Sequence, residues 1–203
     1  MKRFLVVIAL ALLALCGCQR GSDRNAGRPR IALVLKTLNN PFFIDMQRGA
    51  EEAARKLGVD LIVQAAEREI DVDKQLQIVE NLIQSKVDAI CITPSGSREI
   101  VPAVLKANQA HIPVVIVDTR VDAAALKEAG GVVAAFIGSD NFEGGKLAGE
   151  FIIKALNGKG NVAILEGIPG HETGDSRTCL PSRSHVPHPR REALGFPRRA
   201  EQP

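Results

Sequence analysis

The chain has no tryptophan, no tyrosine and only seven phenylalanines in 203 residues. Two of the seven, Phe42 and Phe43, stand side by side, so a scarce side chain is concentrated at one point. Cysteine is scarce too: of four, Cys16 and Cys18 lie near the N-terminus, Cys91 in an apolar run and Cys179 in the last segment. With no C-x-x-C pair and no histidine cluster beside them, they give neither zinc-site spacing nor a disulfide framework. Cys91 reads as a small buried hydrophobe. Net charge is low and local in origin. The formal +3 of the whole chain equals that of residues 179–203, where five arginines face two glutamates, so residues 1–178 sum to zero. Charge therefore supplies no case for a nucleic-acid partner.

The loops that carry common enzyme chemistry are missing as well. No G-x-G-x-x-G follows the first strand-like run, so a dinucleotide would lack its pyrophosphate turn. GSDNFEGGKL (138–147) holds a Gly-Lys pair, but six residues separate Gly138 from Gly145, and Leu147 stands where a phosphate loop needs Ser or Thr. There is no G-x-S-x-G elbow and no carboxylate pair at a telling spacing. The expectation is a protein that is not an enzyme and needs neither cofactor nor metal.

The only long apolar run, Phe4 to Leu15, follows Lys2 and Arg3 and is too short to span a bilayer. It has the plan of a secretory signal. It ends in Leu15-Cys16-Gly17-Cys18, which resembles a bacterial lipobox with Cys18 as the lipidated residue, so an exported protein held to a membrane by an N-terminal lipid is expected. Residues 19–29 form a polar tether.

From Arg30 to Thr178, short apolar runs recur: IALVL (31–35), LIVQ (61–64), AICI (89–92), VVIV (114–117), VVAAFIG (132–138) and VAIL (162–165). Near-continuous runs of this kind suit strands buried on both faces. Between the first four lie stretches of helical period: Phe43, Met46, Ala50 and Leu57; then Val72, Leu76, Val79 and Ile83; then residues 100–110. Alternating strands and helices imply right-handed crossovers and an α/β fold with a doubly wound parallel sheet.

The phenylalanine pair sits at one of these strand-to-helix junctions, in TLNNPFF (37–43). Asn39 or Asn40 can cap the first helix, Pro41 suits its first turn and Gly58 can end it. The loop then lies at the carboxyl end of the first strand, on the rim where open α/β sheets bind ligands. Phe43 is in phase with Met46 and Ala50 and can pack on the sheet. Phe42 is out of that phase and should project from the rim. An exposed ring beside paired amides suits a ligand with apolar CH faces and hydroxyl edges, which describes a sugar.

At this point the chain resembles the type I periplasmic sugar-binding proteins, the ribose-binding proteins in particular. After TLNNPFF the same order continues with CITPSG (91–96), VVIVDTR (114–120), IGSDNFEGGKLAGEFI (137–152) and EGIPGHETGDSR (166–177). The resemblance implies a two-lobed clamshell that closes on a monosaccharide and delivers it to the permease of an ABC importer. It assigns Asn40 to a sugar hydroxyl, Phe42 and Phe43 to the faces of the sugar ring, and Asp118 to two hydroxyls through charge-assisted bonds. Thr119 stands where an arginine is usual, with Arg120 one position later, and Thr93 replaces an asparagine. Arg177 matches an arginine that reaches the sugar from the second lobe. Ser139, Asp140 and Asn141 match the first hinge crossing, where Asp140 or Asn141 would also cap a helix. His171 and Glu172, in a Gly-rich loop, receive no role.

The domain reading that follows is a signal (1–18), a tether (19–29), a first lobe (30–136), a hinge crossing (137–141), the start of an incomplete second lobe (142–178) and a Pro/Arg-rich tail (179–203). The tail holds five of the eleven prolines, no lysine and no helix or strand period. We read its abrupt onset as a frame shift near Thr178; a tail kept in frame and at fixed length in sister strains would refute that. Such truncation implies weak sugar binding. Two other functions fit the class: a receptor for another polyol or furanose-like signalling molecule, favoured only by Thr93 and Thr119, and the effector domain of a sugar-responsive repressor. The repressor would carry a helix-turn-helix where the signal stands.

Overall fold

A computed structural model describes residues 27–178. The expected signal, the expected lipidation site Cys18 and the Pro/Arg-rich tail lie outside the described residues. The elements run β1 (Arg30–Leu35), α1 (Pro41–Leu57), β2 (Asp60–Ala65), α2 (Val72–Gln84), β3 (Ala89–Ile92), α3 (Val101–Gln109), β4 (Val114–Val117), α4 (Ala123–Glu128), β5 (Ala135–Ile137), α5 (Asn141–Ala155) and α6 (Glu172–Thr178). The five strands form one parallel sheet in the order β2-β1-β3-β4-β5.

Alternation along each strand divides the core between two faces. Leu33 and Leu35 of β1 turn to one side, where Phe43, Met46 and Ala50 of α1 cover them. Ala32, Val34, Ile90, Ile92, Val114 and Ile116 turn to the other, against Ile78, Val79 and Leu82 of α2, Val101, Val104 and Ala107 of α3, and Leu126 of α4. Each such buried Val, Leu or Ile side chain contributes on the order of 1.5–3 kcal/mol. Helices on both faces make the sheet doubly wound. Because β1 lies between β2 and β3, the chain leaves β1 in one direction and returns past it in the other. The crevice of such a sheet opens at that switch point, between the carboxyl ends of β1 and β3.

Helix boundaries follow local chemistry. Of the two candidate asparagines, Asn40 caps α1: its Oδ1 accepts from the Phe42 N–H at 3.0 Å, and Pro41 occupies the first turn. Gly58 ends the helix at φ 70°, a left-handed conformation that costs glycine little. Asp140 caps α5 by accepting from the Glu143 N–H at 2.9 Å, and Asn141 is the first helical residue.

Three expectations need correction. A short helix, α4, stands between β4 and β5 where no helical stretch was read; Asp122 caps it through the Ala125 N–H at 2.8 Å. In α2 the deepest residues are Gln75, Ile78, Val79 and Leu82, while Leu76 and Ile83 are only half-buried. VAIL (162–165) is not a strand, and Leu165 is fully exposed. A strand exists only within a ladder, and this run pairs with none of the five.

Candidate functional site at the carboxyl end of the sheet

The floor of the crevice is built from the residues just past β1 and β3. Lys36 follows β1 directly and is 3% exposed. Burial lowers its pKa, while the carboxylates of Asp118 and Glu69 draw it back up. When protonated, Lys36 is a hydrogen-bond donor within reach of the field of two carboxylates. Gln75 is fully buried and spans the exit of β3: its Nε2 donates to the Thr93 carbonyl at 2.9 Å and its Oε1 accepts from the Ser95 N–H at 2.8 Å.

The β1–α1 loop is tied to the β2–α2 loop at three points. Thr37 Oγ1 and Asn39 Nδ2 both donate to the Glu67 carbonyl, at 2.8 and 2.9 Å. Asn40 Nδ2 donates to Glu69 Oε1 at 2.9 Å while its Oδ1 caps α1. The amide keeps one further N–H for a ligand. Phe42 is 52% exposed and Phe43 3%, with ring centroids 5.2 Å apart and planes at 75°. Phe43 is therefore a core residue in edge-to-face contact with Phe42, and of the two only Phe42 is open to solvent.

Asp118 ends β4 with φ 62°, a region in which Asp and Asn are enriched among residues other than glycine. Its N–H donates to the Ile137 carbonyl at 2.8 Å, and one carboxylate oxygen accepts from Thr119 Oγ1 at 3.1 Å. Thr119 is fully buried, so it orients Asp118 rather than facing the crevice. Thr93 is buried too, with its hydroxyl directed at Met46 Sδ, 3.7 Å away. Arg120 departs furthest from a ligand role. Its guanidinium lies 3.7 Å from the centroid of the Phe136 ring, in a cavity of about 460 Å³ that neither Asn40, Phe42 nor Asp118 lines.

Beyond β5 the chain passes Ser139, Asp140 and Asn141 into α5, and α6 packs back upon it. Arg177 Nε donates to Asn141 Oδ1 at 2.8 Å. At Gly145 a Cβ would stand 2.1 Å from the Arg177 carbonyl oxygen, so the second glycine of the Gly-Gly-Lys sequence is there for helix contact. His171, 9% exposed, lies against the floor, and the Glu172 N–H reaches Ser97 Oγ at 3.5 Å. The structure thus brings Asn40, Glu69, Lys36 and Asp118 to one rim, with Phe42 at its edge. Lys36, Glu69 and Gln75 were not singled out from sequence. Lys36 had a signal, a lone charge abutting the apolar IALVL run; the other two are ordinary polar residues until folded.

Residues 31–178 match the family model described as periplasmic binding protein domain, and the chain belongs to that family. The ribose import binding protein RbsB of Bacillus subtilis strain 168 is 37% identical over 177 residues, covering 83% of this chain and 55% of that protein. The D-allose-binding periplasmic protein of Escherichia coli K12 is 40% identical over 147 residues, 72% of this chain and 47% of that one. Among solved structures, an ABC transporter periplasmic solute binding protein from Actinobacillus succinogenes 130z with bound D-allose is 48% identical with a TM-score of 0.70, over 74% of this chain and 52% of that one. A solute binding protein from Bacillus halodurans C-125 with bound myo-inositol is 31% identical with a TM-score of 0.65, over 75% and 50%. The chain spans about half the length of the curated relatives it matches.

Proposed function

We propose that this chain carries the first-lobe half of a site for a pyranose monosaccharide of the ribose or allose kind. In that reading it is the extracytoplasmic receptor of an ABC sugar importer. The observation that carries the reading is the buried Lys36 side chain at the sheet's switch point, within electrostatic reach of the carboxylates of Glu69 and Asp118. Alternating acceptor, donor and acceptor suits the adjacent hydroxyls of a sugar, each of which donates and accepts. Phe42 supplies the apolar platform for the CH face, and Asn40 the remaining neutral donor. Residues 137–141 serve as the crossing about which a second lobe rotates, and Arg177 approaches from that side.

Ligand-observed NMR of the 203-residue chain with D-ribose, D-allose and myo-inositol tests this. Because the relatives are about twice as long, binding by this chain is expected to be weak, and to vanish in Lys36→Met and Asp118→Asn. Equal binding of all three compounds by wild type and both variants would refute the site. Preference for myo-inositol over either sugar would favour a polyol receptor. Anchoring through Cys18 belongs to the same proposal; metabolic labelling with an alkyne fatty acid should mark the wild type and leave Cys18→Ser unmarked.

A further inference from the structure

The sugar chemistry gives no part to His171, yet this is where the segment beyond the crossing touches the first lobe. The ring leaves a loop whose glycines, Gly167 and Gly170, have φ of 76° and 83°, and it is 9% exposed. The groups that act on its charge are the backbone of Ser95, Lys36 from the end of β1, Glu69 from the β2–α2 loop, and Asp175 one turn along α6. One residue on, the Glu172 N–H reaches Ser97 Oγ at 3.5 Å. Two buried oxygens at this junction, Ser95 Oγ and Glu172 Oε2, have no hydrogen-bond partner among the described residues. A contact with unsatisfied polar atoms is one that can open at modest cost, because water satisfies them on release.

We propose that His171 is a positioning residue, a clasp that holds the segment bearing Arg177 against the first lobe while its imidazole is neutral and releases it when the imidazole takes up a proton. Its consequence for ligand binding rests on the sugar-site reading above. In the clasped form the ring is withdrawn from water and shares its space with Lys36, so a second positive charge is opposed by desolvation first and by Lys36 next. The Ser95 backbone, Glu69 and Asp175 offset this only in part, and the net effect lowers the His171 pKa. A released imidazole in water titrates near ~6.5. The clasped state therefore binds fewer protons than the open one. Clasping is fully present above the open-state value and is lost as pH falls through it.

The test begins without sugar. In the isotopically labelled full chain, the His171 ring should titrate below the ordinary range, and the amide signals of Ser97 and Glu172 should move with the same midpoint. His171→Gln should abolish the pH response at Ser97. Lys36→Met, which keeps the histidine but removes the neighbouring charge, should raise the His171 midpoint, and this arm stands even where the histidine variant folds poorly. An ordinary His171 midpoint with no response at Ser97 overturns the clasp. With D-ribose or D-allose added, affinity should fall between pH 8 and 5.5 by up to about tenfold per unit separating the two pKa values, and should be flat in His171→Gln. If neither sugar binds but Ser97 still tracks His171, the clasp is supported and the sugar reading fails.

Discussion

Asp118 donates its backbone N–H to the carbonyl of Ile137 at 2.8 Å, which joins the backbone of a rim residue to the last residue of β5. The contact continues at Gly138, where a Cβ would stand 3.2 Å from the Asp118 carbonyl oxygen. If residues 137–141 serve as the hinge proposed above, a rotation about them is felt directly at the residue proposed to hold the sugar.

The left-handed backbone of Asp118 separates its two duties. Asp118→Gly removes the carboxylate but suits φ 62°. Urea denaturation should show a stability within about 1 kcal/mol of wild type, while sugar binding is lost. Asp118→Val, with a β-branched side chain in the same conformation, should destabilise by at least about 1–2 kcal/mol. Equal stabilities of the two variants would contradict the backbone assignment.

The phenylalanine pair should divide the same way. Phe43→Ala empties a position between Leu33, Leu35 and Met46 and is expected to cost about 3–5 kcal/mol. Phe42→Ala, at a half-exposed ring, should change stability little and reduce sugar affinity. Thermal melts and ligand titrations of both variants decide it; a large melting shift in Phe42→Ala is the adverse result.

Gln75 fastens the β3 exit with both ends of one amide. Replacing it with leucine retains the volume but leaves the Thr93 carbonyl and the Ser95 N–H buried and unpaired. A loss of about 2–6 kcal/mol is expected in chemical denaturation, from two unsatisfied groups at roughly 1–3 kcal/mol each. A neutral substitution would show that water replaces the side chain there.

Gly145→Ala places a methyl group into the Arg177 carbonyl. The expected effect is local: amides of residues 172–178 lose protection from hydrogen exchange while those of β1 and β3 keep theirs. Uniform loss across the sheet would mean that α5 and α6 are integral to its stability.

Much of this was legible in the sequence because the governing forces are local. Phe43 is buried and Phe42 exposed, and the helical phase with Met46 and Ala50 shows the difference. The Asn40 cap and Gly58 stop are written in residue type. What escaped depends on partners distant in sequence. VAIL has the composition of a strand, but composition carries no information about a neighbouring edge. Arg120 seemed placed for a ligand one residue beyond Thr119, and its position over Phe136 arises only once β5 lies beside β4. Lys36 looks like an ordinary strand-end charge until the fold buries it within reach of the charges of Glu69 and Asp118. α4 was passed over because six residues hold too few turns to show a period, although Asp122 before three alanines marked its start.

The three bonds that tie Thr37, Asn39 and Asn40 to residues 67 and 69 bear on speed as well as strength. A loop already stitched to its neighbour has no conformational search left to make when a solute arrives. On this rim, little delay in encounter should come from the loop itself, and whatever delay is observed should arise from motions elsewhere in the chain.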